Sequence, residues 1–127
     1  MTSEGSAYAR FRRALDARDA FGASAAALNL PHVGLPDALE LTLIYLDKEP
    51  ARYERAALRW HARLCKDAQL TLDEAAASLG LLAALRGRRA HDAARSLADL
   101  IGSDRRLLPV AEVLVRWSTE KRVSSRA

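Results

Sequence analysis

The chain has 127 residues and a formal net charge of +4 at pH 7, a length that suits one domain with its own hydrophobic core. Half of the residues are hydrophobic. Ala and Leu are far commoner among them than β-branched or aromatic residues, which favours helix and argues against a strand-rich fold. The single cysteine excludes an internal disulfide and a thiol-rich metal site.

Two further observations bear on the compartment. The longest small-or-apolar run, residues 75–85, is far shorter than the roughly 20 residues of a membrane span. The N-terminal sequence MTSEGSAYARFRR lacks the apolar segment of a signal peptide. We therefore expect a soluble, cytoplasmic protein with no membrane partner. The preference for Ala and Arg is typical of GC-rich bacterial genomes.

Periodicity and stop signals predict about seven helical segments, so we expect an all-α fold. Ser6 is the predicted N-cap of the first helix. Asp19 is the predicted N-cap of the second, which runs through Ala-rich sequence and stops at Pro31. The third covers residues 35–49, is apolar nearly all round and is ended by Pro50.

The fourth predicted helix covers residues 51–66. The fifth begins with a capping box, in which Thr71 and Glu74 each accept a hydrogen bond from the backbone amide of the other. Gly87 is predicted to end this helix in the left-handed conformation. The sixth covers residues 91–101.

Pro109 is placed to open the seventh predicted helix from its first turn, and this helix runs through Trp117. Both ends of the chain, residues 1–6 and 123–127, are small and polar and are predicted to be disordered. Residues 7–122 are predicted to form a single all-α domain.

The predicted helices recur with a period. A shift of 37 positions places Leu35 on Leu72 and Trp60 on Leu97, and a further shift of 36 brings Leu108 under Leu72. Such spacing lies within the ~34 to 47 residues of helical-repeat units. We therefore expect antiparallel helix pairs stacked in an α-solenoid-like repeat, with a compact helical bundle as the alternative.

The sequence LDARDAFGASAAALNLPHVGLPDALELTLIYLDKEPARYERAALRW resembles the helix pairs of tetratricopeptide-like or HEAT-like repeat proteins, with short loops and Ala at the crossing points. The resemblance covers most of residues 8–117. It implies a scaffold or a recognition surface, and it carries over no catalytic residues.

On a helical wheel, residues 51–66 separate into stripes. The basic stripe consists of Arg52, Arg55, Arg59, Arg63 and Lys66. The stripe expected to face the core consists of Tyr53, Ala56, Ala57, Trp60 and Leu64. Five basic residues against one acidic residue give this segment a charge of +4, equal to that of the whole chain.

Basic and acidic segments alternate along the chain. Residues 35–50 and 67–85 each carry −3, whereas residues 86–95 carry +3. The basic residues of this second segment that we expect at a partner surface are Arg88, Arg89 and Arg95. Arginine suits carboxylates and phosphates, so both basic segments could face an acidic partner or a nucleic-acid backbone.

A second interpretation of the arginines requires no partner. Exposed charges are usually solvated, or they form weak ion pairs with neighbouring elements. The acidic residues expected to offer such pairs from adjoining helices are Asp37, Glu40, Asp47, Asp73 and Glu74.

The sequence offers little for catalysis. His61 and Cys65 are one helical turn apart and could share a metal, but no second cysteine or HExxH motif supports them. A packed histidine and a buried, inert cysteine are the favoured interpretation. Since no nucleophile triad, phosphate-binding loop or catalytic carboxylate pair is evident, we expect no catalytic residue, no cofactor and no metal.

The aromatic residues mostly fall on apolar faces and are expected in the core. Trp117 is the exception. It lies on the last helix beside Val113 and Leu114, where no following repeat would cover it. An exposed apolar face there would serve self-association or a partner.

These observations predict a non-enzymatic helical interaction module, an adaptor or scaffold, that binds a protein partner through its Arg-rich face or associates with itself. The alternative is a nucleic-acid-associated accessory or regulatory factor. It would contact phosphates through Arg52, Arg55, Arg59 and Arg63.

Overall fold

The computed structural model describes the backbone of residues 3–126 and the side chains of residues 5–123. Over this part of the chain the protein is all-α, with no strand, as the sequence predicts. The helices are α1 (Ser3–Asp16), α2 (Ala20–Ala27), α3 (Leu35–Lys48), α4 (Tyr53–Asp67), α5 (Leu72–Ala84), α6 (Ala90–Gly102) and α7 (Leu108–Arg126). Short 3₁₀ turns, Pro50–Arg52 and Arg105–Leu107, precede α4 and α7. Among the described residues, no helix combines the length and the apolarity that crossing a membrane demands.

The chain divides into two compact units, Met1–Tyr53 and Glu54–Ala127, called here the N-terminal and the C-terminal unit. The N-terminal unit holds α1, α2 and α3 and ends at Tyr53, the first residue of α4, and the C-terminal unit holds the rest of α4 together with α5, α6 and α7. The prediction of a single domain over residues 7–122 stays a prediction.

In the N-terminal unit, α2 packs against both α1 and α3. Helix α1 buries Phe11 and Leu15, which the sequence places on one face. The Tyr45 hydroxyl of α3 donates a hydrogen bond to the Ser24 hydroxyl of α2 over 2.8 Å. The Asp19 carboxylate accepts from the Gly22 amide at 2.9 Å, which confirms the predicted N-cap of α2.

In the C-terminal unit, α6 packs against both α5 and α7. Leu97 of α6 and Leu114 of α7 are fully buried. A ring nitrogen of His91, Nδ1, donates to the Ser118 carbonyl of α7 over 3.0 Å, because a carbonyl oxygen can only accept. The capping box of α5 is confirmed, with both the Thr71 and the Glu74 hydrogen bond present.

The predicted left-handed stop at Gly87 is wrong, because no glycine among the described residues has a positive φ. Helix α5 ends three residues earlier, at Ala84. The amides of Leu85, Arg86 and Gly87 each bond to the carbonyl three residues before them. This tight right-handed turn satisfies the last carbonyls of the helix without a left-handed residue.

The left-handed positions lie instead at Arg18 (φ 56°) and Gln69 (φ 52°), after α1 and α4. After α1, the Asp19 amide bonds to the Ala14 carbonyl and the Arg18 amide to the Leu15 carbonyl, which is the complete Schellman pattern. Two non-glycine residues therefore carry the left-handed conformation that glycine adopts at lower cost.

Some boundaries differ from the sequence prediction. Ser6 is not the N-cap of α1, because the helix already begins at Ser3. Helix α2 ends at Ala27, and the amides of residues 28–30 continue it as 3₁₀-type bonds. Helix α7 runs past Trp117 to Arg126. The disorder predicted for residues 1–6 and 123–127 stays a prediction, and Met1, Thr2 and Ala127 lie outside the described residues.

Helix starts recur at Leu35, Leu72 and Leu108, with the spacing of 37 and 36 residues found in the sequence. The helices between them start at Tyr53 and Ala90, again 37 residues apart. The packing of adjacent helices is consistent with either a bundle or a repeat.

Candidate interaction surface

Helix α4 is amphipathic because its apolar residues and its basic residues each recur every three or four positions. The residues that the wheel assigns to the core are buried or half-buried: Tyr53, Ala56, Ala57, Trp60 and Leu64. The core stripe of this helix is therefore confirmed.

The basic stripe lies on the outside of α4. Arg55, Arg59 and Lys66 are exposed, and Arg63 is half-buried. These four residues, called here the α4 basic face, extend over 12 positions, about 16 Å of helix at ~1.5 Å per residue.

Arg52, which the sequence groups with this stripe, belongs to the N-terminal unit and has its own partners there. Its guanidinium donates to the Glu49 carboxylate over 3.1 Å and lies 4.7 Å from the centre of the Tyr45 ring. The hydrogen bond to Glu49 raises the pKa of Arg52 above its ordinary value. Arg52 is thus engaged locally, unlike the exposed members of the α4 basic face.

Two acids of α3 bind a single arginine of α1 within the N-terminal unit. The Arg12 guanidinium donates to Asp37 over 2.8 Å and to Glu40 over 2.9 Å. It also donates to Asp16 of its own helix at 2.7 Å, and the hydrogen bond to Glu40 is the largest cause of a raised Arg12 pKa.

Two further contacts complete this cluster in the N-terminal unit. The Tyr8 hydroxyl donates to Asp37 over 2.8 Å, and this hydrogen bond to a carboxylate raises the pKa of Tyr8. Arg18 of the turn after α1 pairs with Asp47 of α3 at 2.5 Å. Asp37, Glu40 and Asp47 therefore each have a basic partner within the N-terminal unit, and their pairing with the basic stripe of α4, one of the two sequence-based interpretations, stays a prediction.

The acids of α5 do not neutralise α4. Glu74 closes the capping box with Thr71, and Asp73 is exposed and forms no ion pair within the described part of the chain. Likewise Arg55, Arg59 and Lys66 form no ion pair with any described acid of their own unit, residues 54–123. The α4 basic face thus presents at least three cations to solvent.

The second predicted basic segment is exposed as well. Arg88 and Arg89 lie in the loop before α6 and Arg95 lies on α6. Arg89 lies 4.0 Å from Asp92, with both side chains largely in solvent, which makes the pair weak. Nearby, Arg86 lies 3.8 Å from Glu54 of α4.

The positive charge of the protein is concentrated in the C-terminal unit. Residues 54–127 contain 14 Lys and Arg against nine Asp and Glu, a net charge of +5, whereas residues 1–53 contain six against seven, a net charge of −1. The charge asymmetry therefore follows the division into units.

His61 and Cys65 form part of a packing contact between α4 and α5. His61 Nε2 lies 3.0 Å from the Ala75 carbonyl and 2.8 Å from the Ser78 hydroxyl, while Cys65 Sγ lies 3.7 Å from the ring. Nε2 must carry the proton, because the Ala75 carbonyl can only accept. Within the described residues, no group of three or more His, Cys, Asp or Glu residues could hold a metal.

The prediction of an exposed apolar face around Trp117 is wrong. Trp117 is 4 % exposed, and Val113 and Leu114 are buried too. The physical reason is that α7 packs closely along α6. This packing buries the apolar face of α7 within the C-terminal unit. The Lys121 ammonium lies 5.3 Å from the centre of the Trp117 ring.

Large exposed apolar residues lie elsewhere in the described chain, and four of them, at α2 and on α5, were not predicted from the sequence. Phe21 of α2 and Leu28, the residue after this helix, are 78 % and 87 % exposed. Leu72 and Leu79 of α5 are 86 % and 39 % exposed. The signal was present in the sequence, because both segments are apolar nearly all round and a partly covered helix of this kind must expose apolar residues.

The structure thus defines a class, an all-α protein built from seven helices over residues 3–126. Comparison with protein-family models, curated proteins and solved structures finds no match for this chain. The resemblance to tetratricopeptide-like or HEAT-like repeats therefore rests on the sequence.

Proposed function

We propose that this protein is a non-enzymatic, cytoplasmic interaction module that binds an acidic protein surface through the α4 basic face. The observation that carries the proposal is that Arg55, Arg59 and Lys66 are exposed and form no ion pair with the described acids of their own unit, residues 54–123. The acids of α3, the preceding helix in sequence, form ion pairs with Arg12 and Arg18.

The chemistry of arginine supports a carboxylate-bearing partner. The guanidinium is planar and donates in parallel to both oxygens of a carboxylate, which a lysine ammonium cannot do. Residues 55, 59 and 63 are spaced by one helical turn each, so the matching partner is a helix or strand that repeats acidic residues at a similar distance. Arg88, Arg89 and Arg95 would extend the contact beyond α4.

The proposed architecture is a short stack of antiparallel helix pairs of the tetratricopeptide-like or HEAT-like kind. The recurrence of helix starts at Leu35, Leu72 and Leu108 supports it. So do equivalent buried positions: Trp60 and Leu97 lie 37 residues apart and are 2 % and 0 % exposed. Proteins of this architecture present extended recognition surfaces.

The test uses a Glu-rich helical peptide of about 20 residues as the acidic probe and the full chain in ~50 mM salt. The double variant Arg55→Glu with Arg59→Glu should weaken binding at least about tenfold, or ~1.4 kcal/mol, which two exposed ion pairs of about 0.7 kcal/mol each would supply.

The control is Arg10→Glu with Arg13→Glu on α1. These residues are also exposed and form no ion pair with the described acids, so the change in net charge is the same. Binding that falls equally in both variants would show a response to net charge alone and would overturn the proposal. Absence of binding between the wild-type chain and the peptide would also overturn the proposal.

A second candidate function is contact with a nucleic-acid backbone, which the net charge of +5 in residues 54–127 favours. Trp60 and Trp117 are buried, so base stacking by these rings is unavailable and duplex phosphates are the better target. Titration of duplex DNA and RNA against salt separates the two functions. Three phosphate contacts predict a slope of about −3 in log K against log salt, abolished by the same α4 variant.

A further inference from the structure

One face of α5 is apolar and open to solvent. It consists of Leu72, Ala76, Leu79 and Ala83, called here the α5 seam, all of them exposed. A neighbouring face, roughly 110° away around the helix, buries Ser78 and Leu82. The apolar surface of α5 is therefore only partly covered.

The spacing of the α5 seam is that of a helix that packs lengthwise on another helix. Its members follow one another at intervals of four, three and four residues, the repeat that places side chains along a coiled-coil contact. Large Leu72 and Leu79 alternate with small Ala76 and Ala83. A scattered set of exposed apolar residues would not keep this order.

Gly80 adds an observation of a different kind. It lies in the exposed interior of α5, and a β-carbon built on it would meet no atom within 4 Å among the described residues beyond its own helix and chain neighbours. Glycine destabilises a helix interior relative to alanine, and nothing within this unit uses the space it leaves. Close approach of another backbone to the seam would use it.

The charges at the two ends of α5 indicate what covers the seam. Asp73 lies exposed in the first turn, and Arg86 and Arg88 lie exposed just after the last. A helix with an acidic start and a basic end is complementary to a copy of itself that runs in the opposite direction, because each acidic end then lies beside a basic end.

We infer that α5 packs antiparallel against α5 of a second copy of the chain, across a two-fold axis near the middle of the helix. In this arrangement Leu72 lies opposite Ala83 of the other copy and Leu79 opposite Ala76, so every large side chain meets a small one. A two-fold contact of this kind uses the same patch twice and closes on itself.

This dimer goes beyond the proposed function, since it uses α5 and leaves the α4 basic face to another partner. The size of the contact limits the affinity of the dimer. Helix α5 has 13 residues, about 20 Å, and a contact limited to one such helix lies at the low end of specific interfaces. We expect a concentration-dependent dimer with a dissociation constant of about 1 to 100 μM.

Sedimentation equilibrium of the full chain from about 1 μM to 1 mM tests the dimer. The wild-type chain should pass from monomer to dimer, and Leu79→Glu should remain monomeric throughout. The matched control is Leu58→Glu on α4, where the leucine is 52 % exposed but lies outside the seam. A wild-type chain that stays monomeric at 1 mM, or equal weakening by the two variants, would overturn the inference.

A second variant separates loss of dimerisation from loss of folding. The β-carbon of Gly80→Leu would meet no neighbouring atom of the described chain outside its own helix, and leucine has a higher helix propensity than glycine, so this variant should unfold at a higher temperature when monomeric. It should nevertheless dimerise at least about tenfold more weakly, because the backbones can no longer approach. Unchanged dimerisation would contradict the close antiparallel contact.

Mixing two charge variants tests whether the two α5 helices run antiparallel in the dimer. Asp73→Lys alone, and Arg86→Glu with Arg88→Glu, should each dimerise more weakly than wild type because like charges then meet at both ends. An equimolar mixture should recover dimers, since each end of one chain meets the opposite charge on the other. A mixture no stronger than its components would rule out the antiparallel arrangement.

Discussion

His61 of α4 and Ser78 of α5 meet at 2.8 Å, and both also reach the carbonyl oxygen of Ala75, at 3.0 Å and 3.1 Å. The side chains of both residues are buried. Each retains a hydrogen-bond partner if the other is removed, because the Ala75 carbonyl remains. The sole cysteine and this histidine thus take part in a structural contact between two helices.

Replacement of Ser78 by alanine should therefore be mild. We expect a loss of about 1 kcal/mol in the free energy of unfolding, the net worth of one hydrogen bond, with no orphaned imidazole. Urea unfolding measures this loss of free energy. Ser96 on α6 is exposed, so Ser96→Ala is the control for the change in helix propensity. A loss above about 3 kcal/mol relative to this control would show that the Ala75 carbonyl does not satisfy His61.

Arg12 holds two acids of α3, and its loss should be costly. Arg12→Met keeps most of the aliphatic stem but leaves the half-buried Asp37 and Glu40 without a guanidinium. We expect about 1–2 kcal/mol of destabilisation at pH 7, from lost charge-assisted hydrogen bonds and repulsion between the two carboxylates. The neighbouring exposed Arg13→Met is the control, and an equal effect of the two substitutions in urea unfolding would contradict this role.

Tyr8 should couple stability to alkaline pH. Its hydrogen bond to Asp37 raises its pKa above 10.0 in the folded chain, so the folded state holds the phenolic proton more tightly than the unfolded state does. The resulting stabilisation is complete below about pH 10 and is lost as pH rises through the raised pKa.

Urea unfolding between about pH 8 and 11 compares wild type with Tyr8→Phe. The wild-type chain should lose stability more steeply at the upper end of this range, and the difference between the two should shrink there. Parallel curves across the range would contradict the contribution of the Tyr8–Asp37 hydrogen bond.

Gln69 ends α4 in the left-handed conformation, which glycine adopts without steric cost. Gln69→Gly should raise the free energy of unfolding by about 0.5–1 kcal/mol. Asp67→Gly, in the right-handed last turn of the same helix, should lower it by a similar amount. Thermal and urea unfolding of both variants show whether each one gains or loses stability. Stabilisation by both or by neither would contradict the claim that the left-handed backbone at Gln69 makes glycine favourable there.

The helices could be predicted because their signals are local. Asp19 caps the helix that follows it, and Thr71 and Glu74 form a capping box within four residues. Pro50 ends α3, as proline must. The error at Gly87 arose because a helix can end in more than one way: a tight right-handed turn closes α5 in place of a left-handed glycine.

The candidate surface could be predicted only in part. The wheel of α4 separates its buried from its basic residues correctly, since side-chain direction follows from helical geometry. It cannot show that Asp37, Glu40 and Asp47 pair with Arg12 and Arg18, because these partners are 25 to 29 residues apart in sequence.

The sequence by itself determined that the protein is all-α, where most of its helices begin and which residues of α4 face the core, because helix periodicity and capping act within a few residues. Only the tertiary structure decided which charges are neutralised and which apolar faces stay open. It buried Trp117 against expectation and left Leu72 and Leu79 exposed. Burial and ion pairing depend on which elements come together in space, and a one-dimensional pattern does not contain that information.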